Sequence, residues 1–306
     1  MPTLQQLRYL VAIADTGHFR RAAERCHVTQ PTLSVQLKQL EAKLKAVLVE
    51  RGASRVHLTA FGEKVVSHAR AALNEVEEIR TLSRLEGGSL SSTIRVGVVQ
   101  SLGSYLMPLL VPDLHQSHPQ LKLYIREGLP AHLLTGLRDA SLDVLFFPLP
   151  VPDADFETLP LFREPLSVVV ATDHPFAGET SVRADMLKGE TIMALEPGHR
   201  LNEQVERICE QYGAHVSNDF AGTSLDTLRQ MVAMGMGVSL LPALYVKSEV
   251  ATQNLVAALP FRGTAPSRTV GMVWRRSTAL DGEYRELGRE IREILRAQVK
   301  EVTILG

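Results

Sequence analysis

The stretch from Phe19 to Leu44 constrains this chain more than any other. Phe19, Ala22, Ala23 and Cys26 fall on one helical face, and the small alanines let a second helix approach closely. His27-Val28 leaves room only for a tight turn. Thr29 is then placed to cap a helix whose first turn tolerates Pro31. Leu33, Leu37, Leu40 and Leu44, spaced by 4, 3 and 4, give that helix a buried stripe. Upstream, Leu4, Leu7, Leu10 and Val11 mark a further helix that Thr16-Gly17 stops. Helix, short turn, helix is a unit that can lay its second helix in a DNA major groove. Val47-Leu48-Val49 and Val56-His57-Leu58 read as two short strands around Arg51 and Arg55, a wing.

Charge agrees with this reading. Residues 1–70 carry eleven Lys/Arg against five Asp/Glu, a net +6, while the rest of the chain carries −7. A basic head on an acidic body predicts that the head meets a polyanion, against the plainer alternative of chance clustering. On the exposed side of the third helix stand Thr29, Gln30, Thr32, Ser34, Gln36 and Lys38, side chains able to read base edges or grip phosphates. Base contacts are expected from Gln30, Thr32 and Ser34 and phosphate contacts from Arg51 and Arg55. Arg20 and Pro31 complete the DNA-facing set.

Other classes fall away. With 306 residues, 45% hydrophobic, the chain can bury the cores of two or three domains. Its two cysteines, Cys26 and Cys209, are too far apart for a C-x-x-C metal or redox pair and read as plain buried thiols. No signal peptide and no apolar run of membrane-spanning length is visible, so a cytoplasmic protein with no membrane contact is expected. Metalloprotease, hydrolase-elbow and P-loop motifs are absent, and the ten histidines form no metal-ligand spacing. No cofactor, metal site or catalytic residue is expected. Gly235 and Gly237 lack a third glycine and precede a strand, so they predict a helix-to-strand turn. An enzyme or an intracellular small-molecule-binding protein is the alternative of another class.

From Phe61 to Glu86 the pattern is helical, and Val65, Ala69, Ala72, Val76 and Ile79 recur at 4, 3, 4 and 3, with Leu82 continuing the seam. A lone helix would leave that stripe wet, so a partner helix is implied; folding back on its own body is the alternative. Gly87-Gly88-Ser89 ends it as a hinge. Beyond it, strands at Thr93–Val99, Leu121–Ile125 and Leu142–Phe147 alternate with helices at Gly103–Gln116 and Ala131–Ala140, which predicts a parallel α/β sheet. The rhythm resumes after Arg163: strands at Leu166–Ala171, Thr191–Leu195 and Val238–Leu241, helices at Leu201–Tyr212 and Leu225–Met234. Thr269–Trp274 returns as a strand to the first half, and Ser277–Lys300 closes as a helix. Two α/β halves joined by two crossings enclose a cleft, where ligands tend to bind.

The run Phe19–Glu41, followed by Glu50-Arg51 and Leu58-Thr59-Ala60-Phe61-Gly62, resembles the winged helix-turn-helix of LysR-type transcriptional regulators. Lys45 stands where that family usually has a glycine, and Ser54 where the wing often has another arginine. The resemblance implies an N-terminal all-α winged helix-turn-helix (1–60), a linker helix that dimerises (61–88) and an α/β effector domain (89–306). That domain is expected to resemble periplasmic solute-binding proteins, with one subdomain from 89–162 and 267–306 and a second from 163–266. Double-stranded promoter DNA, a homodimer or homotetramer, and RNA polymerase are the implied partners.

Within that family the body resembles the peroxide-sensing members of the oxidative stress response. The matches are Gly103–Pro108, Leu161–Pro165, Asp173-His174-Pro175, Gly198-His199-x-Leu201, Thr223–Arg229 and Leu240–Ala243. Peroxide sensing needs an attacking thiolate and a second cysteine to resolve the sulfenic acid. By the resemblance Cys209 matches the resolving position and Arg200 occupies the attacking one, which rules out sensing by disulfide formation. Ser101 keeps a hydroxyl where the sensors have a threonine, and Pro130 replaces another pocket hydroxyl. Arg200 is expected at the cleft mouth with Ser101, His199, Thr223, Ser224 and the helix start at Gly103-Ser104, a receptor for a small anionic effector. Two alternatives remain open: a structural arginine paired with Glu196 or Glu203, and an inactivated or mutated sensor site.

Overall fold

The computed structural model describes residues 1–51, 56–82, 93–151, 153–251 and 255–306. The chain divides into two compact units, residues 1–89 with 135–142, and residues 90–134 with 143–306.

In the first unit, α1 (Leu4–Thr16) opens with a capping box. The Gln6 N–H donates to Thr3 Oγ1, and the Thr3 N–H donates to Gln6 Oε1. Gly17, in the left-handed region at φ 61°, ends the helix. α2 (Phe19–Arg25) and α3 (Gln30–Leu44) follow across the turn at His27. Leu33, Leu37 and Leu40 pack with Leu10, Ile13, Ala22 and Ala23 in one apolar core. Gln6 is buried in it; its Nε2 donates to Gln36 Oε1 at 3.1 Å, and its Oε1 accepts from Lys43 Nζ at 3.0 Å. The α3 C-cap is Lys45 at φ 52°, a conformation glycine adopts without steric cost. The first wing strand, expected at Val47–Val49, runs instead over Val49–Arg51 (β1). Leu48 and Val49 give their N–H groups to the Glu41 carboxylate at 2.9 and 3.3 Å, which holds that end of the segment against α3. β1 pairs antiparallel with β2 (Val56–Leu58). The wing tip with Arg55, the Gly87-Gly88-Ser89 hinge and the last residues of the expected linker helix lie outside the described residues.

The linker helix α4 (Ala60–Leu82) starts at Thr59, whose Oγ1 accepts from the Gly62 N–H at 2.9 Å and donates to the Val47 carbonyl at 2.9 Å. Gly62 permits this close approach: a Cβ there would lie 2.1 Å from the Leu48 carbonyl oxygen. Gly62→Ala is therefore expected to destabilise the head by ~1–3 kcal/mol, read as a lower thermal midpoint. A midpoint equal to wild type would show that the Leu48 backbone gives way freely.

The second unit is a mixed sheet in which β3 (Thr93–Val99) pairs parallel with both β4 (Lys122–Gly128) and β5 (Val144–Leu149), connected by α5 (Gly103–Ser117) and α6 (Pro130–Arg138). The expectation of a strand beginning only at Leu166 is corrected. β6 runs unbroken over Phe156–Ala171, because Pro160 sits at a register shift opposite Gly271 and does not interrupt the ladder. The sheet continues through β7 (Thr191–Met193), α7 (Arg200–Tyr212), β8 (His215–Val216), α8 (Leu225–Ala233) and β9 (Val238–Pro242). A short α9 (Ala243–Tyr245) leads to β10 (Val256–Leu259) and β11 (Ser267–Arg275). α10 (Asp281–Gln298) and β12 (Thr303–Ile304) close the chain. Strand order is β4-β3-β5-β11-β6-β9-β7-β8. The expectation of a parallel sheet is corrected: β6 runs antiparallel to β9, β10 and β12, and β11 runs antiparallel to both β5 and β6 because it returns from the second half. β8, β10 and β12 were not expected, being short and weakly patterned. Gly235 and Gly237, at φ 75° and 152°, make the helix-to-strand turn before β9. Cys209 is buried, whereas Cys26, read as buried, is half-exposed at the end of α2.

Candidate functional site

On the head, α3 presents Gln30, Pro31, Thr32 and Lys38 to solvent, with Ser34 half-buried beside them. Thr29 caps the helix by accepting from the Thr32 N–H at 3.4 Å, and the two threonine hydroxyls lie 2.9 Å apart. Arg20 is exposed on α2 and donates to Glu24 at 3.1 Å, one turn on. Gln36 departs from the expected reading set: it is half-buried and its carbonyl is held by Gln6. Arg51 closes β1, so its backbone belongs to the wing ladder; the Arg55 expectation falls outside the described residues. The buried Gln6, which ties α1 to α3, escaped sequence reasoning. A glutamine three residues after Thr3 was its only signal.

Three of the body's buried polar residues, Ser101, Glu164 and Arg268, meet where β6 and β11 carry the chain between its two halves. Glu164 and Arg268 face each other in register across those strands. Arg268 Nε donates to Glu164 Oε2 at 2.8 Å, and its two terminal nitrogens donate to Ser101 Oγ at 2.8 Å and the Ser101 carbonyl at 2.9 Å. The other Glu164 oxygen accepts from the Leu244 N–H at 2.8 Å. Sequence reading found Ser101 but missed this pair, whose two charges lie in separate strands, beside Arg163 in β6 and near the start of β11.

The expected anion receptor is laid out differently from the sequence expectation. Arg200 opens α7, where Nη1 donates to Glu203 Oε2 at 2.9 Å and Nη2 to the Pro150 carbonyl at 2.8 Å. The start of α5 faces a carboxylate of the same chain. A Cβ on Gly103 would lie 2.2 Å from Glu127 Oε1, and Ser104 Oγ donates to that oxygen at 3.2 Å. Ser224 caps α8 through the Thr227 N–H at 3.2 Å, Thr223 beside it is exposed, and Pro130 is buried in the first turn of α6. His199 precedes α7, 4% exposed, and its Nε2 has no hydrogen-bond partner, the nearest carboxylate being Glu196 at 3.9 Å. Burial holds this imidazole below its ordinary pKa, so it is neutral at pH 7. Burial also pushes the Cys209 thiol up to about 11, with Glu206 and Glu210 adding to the shift. Tyr105 of α5 packs edge-on against Tyr245 at 4.9 Å between centroids, and both hydroxyls donate to Asp226. Among the described residues no cluster of His, Cys, Asp and Glu could hold a metal, and no helix is long and apolar enough to cross a membrane.

Comparison with known proteins identifies both units. Residues 4–63 match the bacterial regulatory helix-turn-helix protein of the lysR family, and residues 87–296 match the LysR substrate binding domain. The chain is 37% identical to the hydrogen peroxide-inducible genes activator of Dickeya chrysanthemi, over 98% of each chain. It is 39% identical to the DNA-binding transcriptional dual regulator OxyR of Escherichia coli K12, over 94% of each. Among solved structures, a full-length cysteine-to-aspartate variant of Pseudomonas aeruginosa OxyR superposes with a TM-score of 0.81 at 38% identity, covering 98% of each chain. These relatives are regulators and not enzymes. The chain belongs to the LysR family of DNA-binding transcriptional regulators, and within it is close to OxyR.

Proposed function

We propose that this LysR-type regulator responds to a small anion bound at the start of α7, and not to peroxide through a disulfide. The observation that carries the reading is the start of α7. His199 leaves the helix N-cap without a side-chain hydrogen bond and keeps an unpartnered buried ring nitrogen, and Arg200 supplies a guanidinium in the next position. Helix-start N–H groups and a guanidinium favour a carboxylate or phosphate. Against the sensing chemistry stands the thiol inventory: Cys209 is the body's one cysteine, buried and protonated at pH 7. A second reading, Arg200 as a purely structural residue, is favoured by its Glu203 pair.

The regulator acts on promoter DNA as a dimer or tetramer, in the cytoplasm, through RNA polymerase. An oligomer is supported by the apolar seam of α4, where Ile79 is 66% exposed, and by exposed Tyr124 on the edge strand β4. Residues 1–60 serve as DNA-binding domain, 61–88 as linker, and 89–162 with 267–306 and 163–266 as the two effector subdomains.

The test is a thermal-shift screen of small carboxylates, inorganic phosphate and phosphate esters on wild type, Arg200→Ala and Glu203→Gln. A ligand at a hundredfold excess over its Kd stabilises by about 2.7 kcal/mol, several degrees for a body of this size. The shift is expected to vanish in Arg200→Ala and persist in Glu203→Gln. A ligand that stabilises wild type and Arg200→Ala equally removes Arg200 from the mechanism. Peroxide is expected to leave both thiols titratable; with one cysteine, a disulfide within a single body cannot form.

A further inference from the structure

The DNA-facing side of α3 carries one residue that neither charge nor hydrogen bonding explains. Val35 is 51% exposed, while Leu33 and Leu37, two residues to either side, are 0% and 1% exposed. At 100° per residue, Val35 therefore lies almost opposite the buried stripe and projects straight away from the head. Its neighbours one turn away are Pro31 and Gln39 at i±4, and Thr32 and Lys38 at i±3, all exposed. The Thr32 hydroxyl sits 2.9 Å from that of Thr29, so it serves the helix cap and leaves the methyl group as the free part of the side chain. Pro31, the Thr32 methyl and Val35 thus form an apolar strip flanked by Lys38 and Gln39.

A single exposed apolar side chain on a protein surface ordinarily needs no explanation. Here the surface is the outer face of α3, the second helix of the helix-turn-helix matched over residues 4–63, and the second helix of such a unit is the one that enters the major groove. Valine is a poorer helix former than Lys, Gln or Ala at a solvent position, and Val35 gains little packing in exchange. The floor of the major groove offers one apolar group, the C5-methyl of thymine, and an aliphatic side chain on a recognition helix recognises it by contact.

We propose that Val35 is a specificity-determining residue, packing on the C5-methyl of one thymine in each half-site and so selecting thymine at a position where hydrogen bonding alone does not. The inference rests on the DNA-binding reading of residues 4–63 and goes beyond it by naming the base and the contact.

The test uses the full-length chain and duplexes enriched by it from a random-sequence pool. Each thymine of the enriched half-site is replaced in turn by deoxyuridine, which removes only the methyl group and preserves pairing. For wild type, one position per half-site is expected to lose about fourfold in affinity, the effect of one buried methyl-sized group. In Val35→Ala the same replacement is expected to make no difference. Val35→Thr, which keeps one methyl and the β-branch, is expected to retain the sensitivity. The proposal is overturned if no thymine is methyl-sensitive, if the loss persists undiminished in Val35→Ala, or if Val35→Thr behaves like Val35→Ala. A pool that yields no enriched duplex would instead overturn the DNA-binding reading, and the proposal with it.

Discussion

Replacing Glu164 by alanine is expected to lower the unfolding free energy of the body by ~3–5 kcal/mol. The magnitude follows from what the substitution leaves behind. Glu164 is 0% exposed, and Arg268, its cross-strand partner, keeps only 4% of its side chain in contact with solvent. With the carboxylate gone, the guanidinium still donates to Ser101 but loses its counter-charge in a site that water does not reach. The Leu244 N–H loses its acceptor at the same time. Leaving one member of a buried pair uncompensated costs far more than breaking an exposed one. The Arg183–Asp185 pair, with both side chains more than half exposed and screened by water, contributes little by comparison. Urea unfolding of Glu164→Ala, Glu164→Gln and Asp185→Asn measures the three together. Glu164→Gln should fall between the other two, because its amide oxygen still accepts one bond. A Glu164→Ala loss below about 1 kcal/mol would mean that water enters behind Arg268 and hydrates it.

That pair also shows what sequence reading could and could not recover. Each helix of the head was legible because its boundaries are local chemistry: Thr29 caps α3, Gly17 stops α1, and the Leu33–Leu37–Leu40 stripe fixes the buried face. The α/β alternation of the body was legible for the same reason. What escaped depends on groups far apart in sequence. Glu164 and Arg268 are 104 residues apart, and only the pairing of β6 with β11 brings them together. The prolines at 160 and 165 concealed the length of β6, since an isolated strand with two prolines gives no hint of the partner strands that hold it. The same limit governs the expected anion site. Arg200, Gly103 and Ser101 can be picked out in the sequence as residues with polar or helix-start chemistry, yet their partners, Glu203, Glu127 and Arg268, are a matter of tertiary placement. A helix start at Gly103 looks open to an anion until Glu127 is seen to fill it.

DNA affinity is expected to fall by about 10³–10⁵ between 50 and 200 mM salt. The basic charge is concentrated in residues 1–70, at +6, while the remainder at −7 adds no attraction for a polyanion. Attraction to phosphates must therefore come from the head. Arg20, Lys38, Arg51 and Arg55 in each of two subunits would supply about eight phosphate contacts, and each releases counterions on binding. Fluorescence anisotropy with an enriched duplex, across a salt series, gives the slope of log affinity against log salt. Arg55→Ala should weaken binding to all sequences alike and reduce the slope by about two, one contact per half-site. Gln30→Ala should leave the slope unchanged and relax sequence preference, because a base contact displaces no condensed counterion. The two variants thus separate grip from reading. If affinity proves indifferent to salt, the +6 head is not meeting phosphates. If Gln30→Ala lowers the slope as Arg55→Ala does, the start of α3 grips the backbone and the reading of bases falls to other side chains on its outer face.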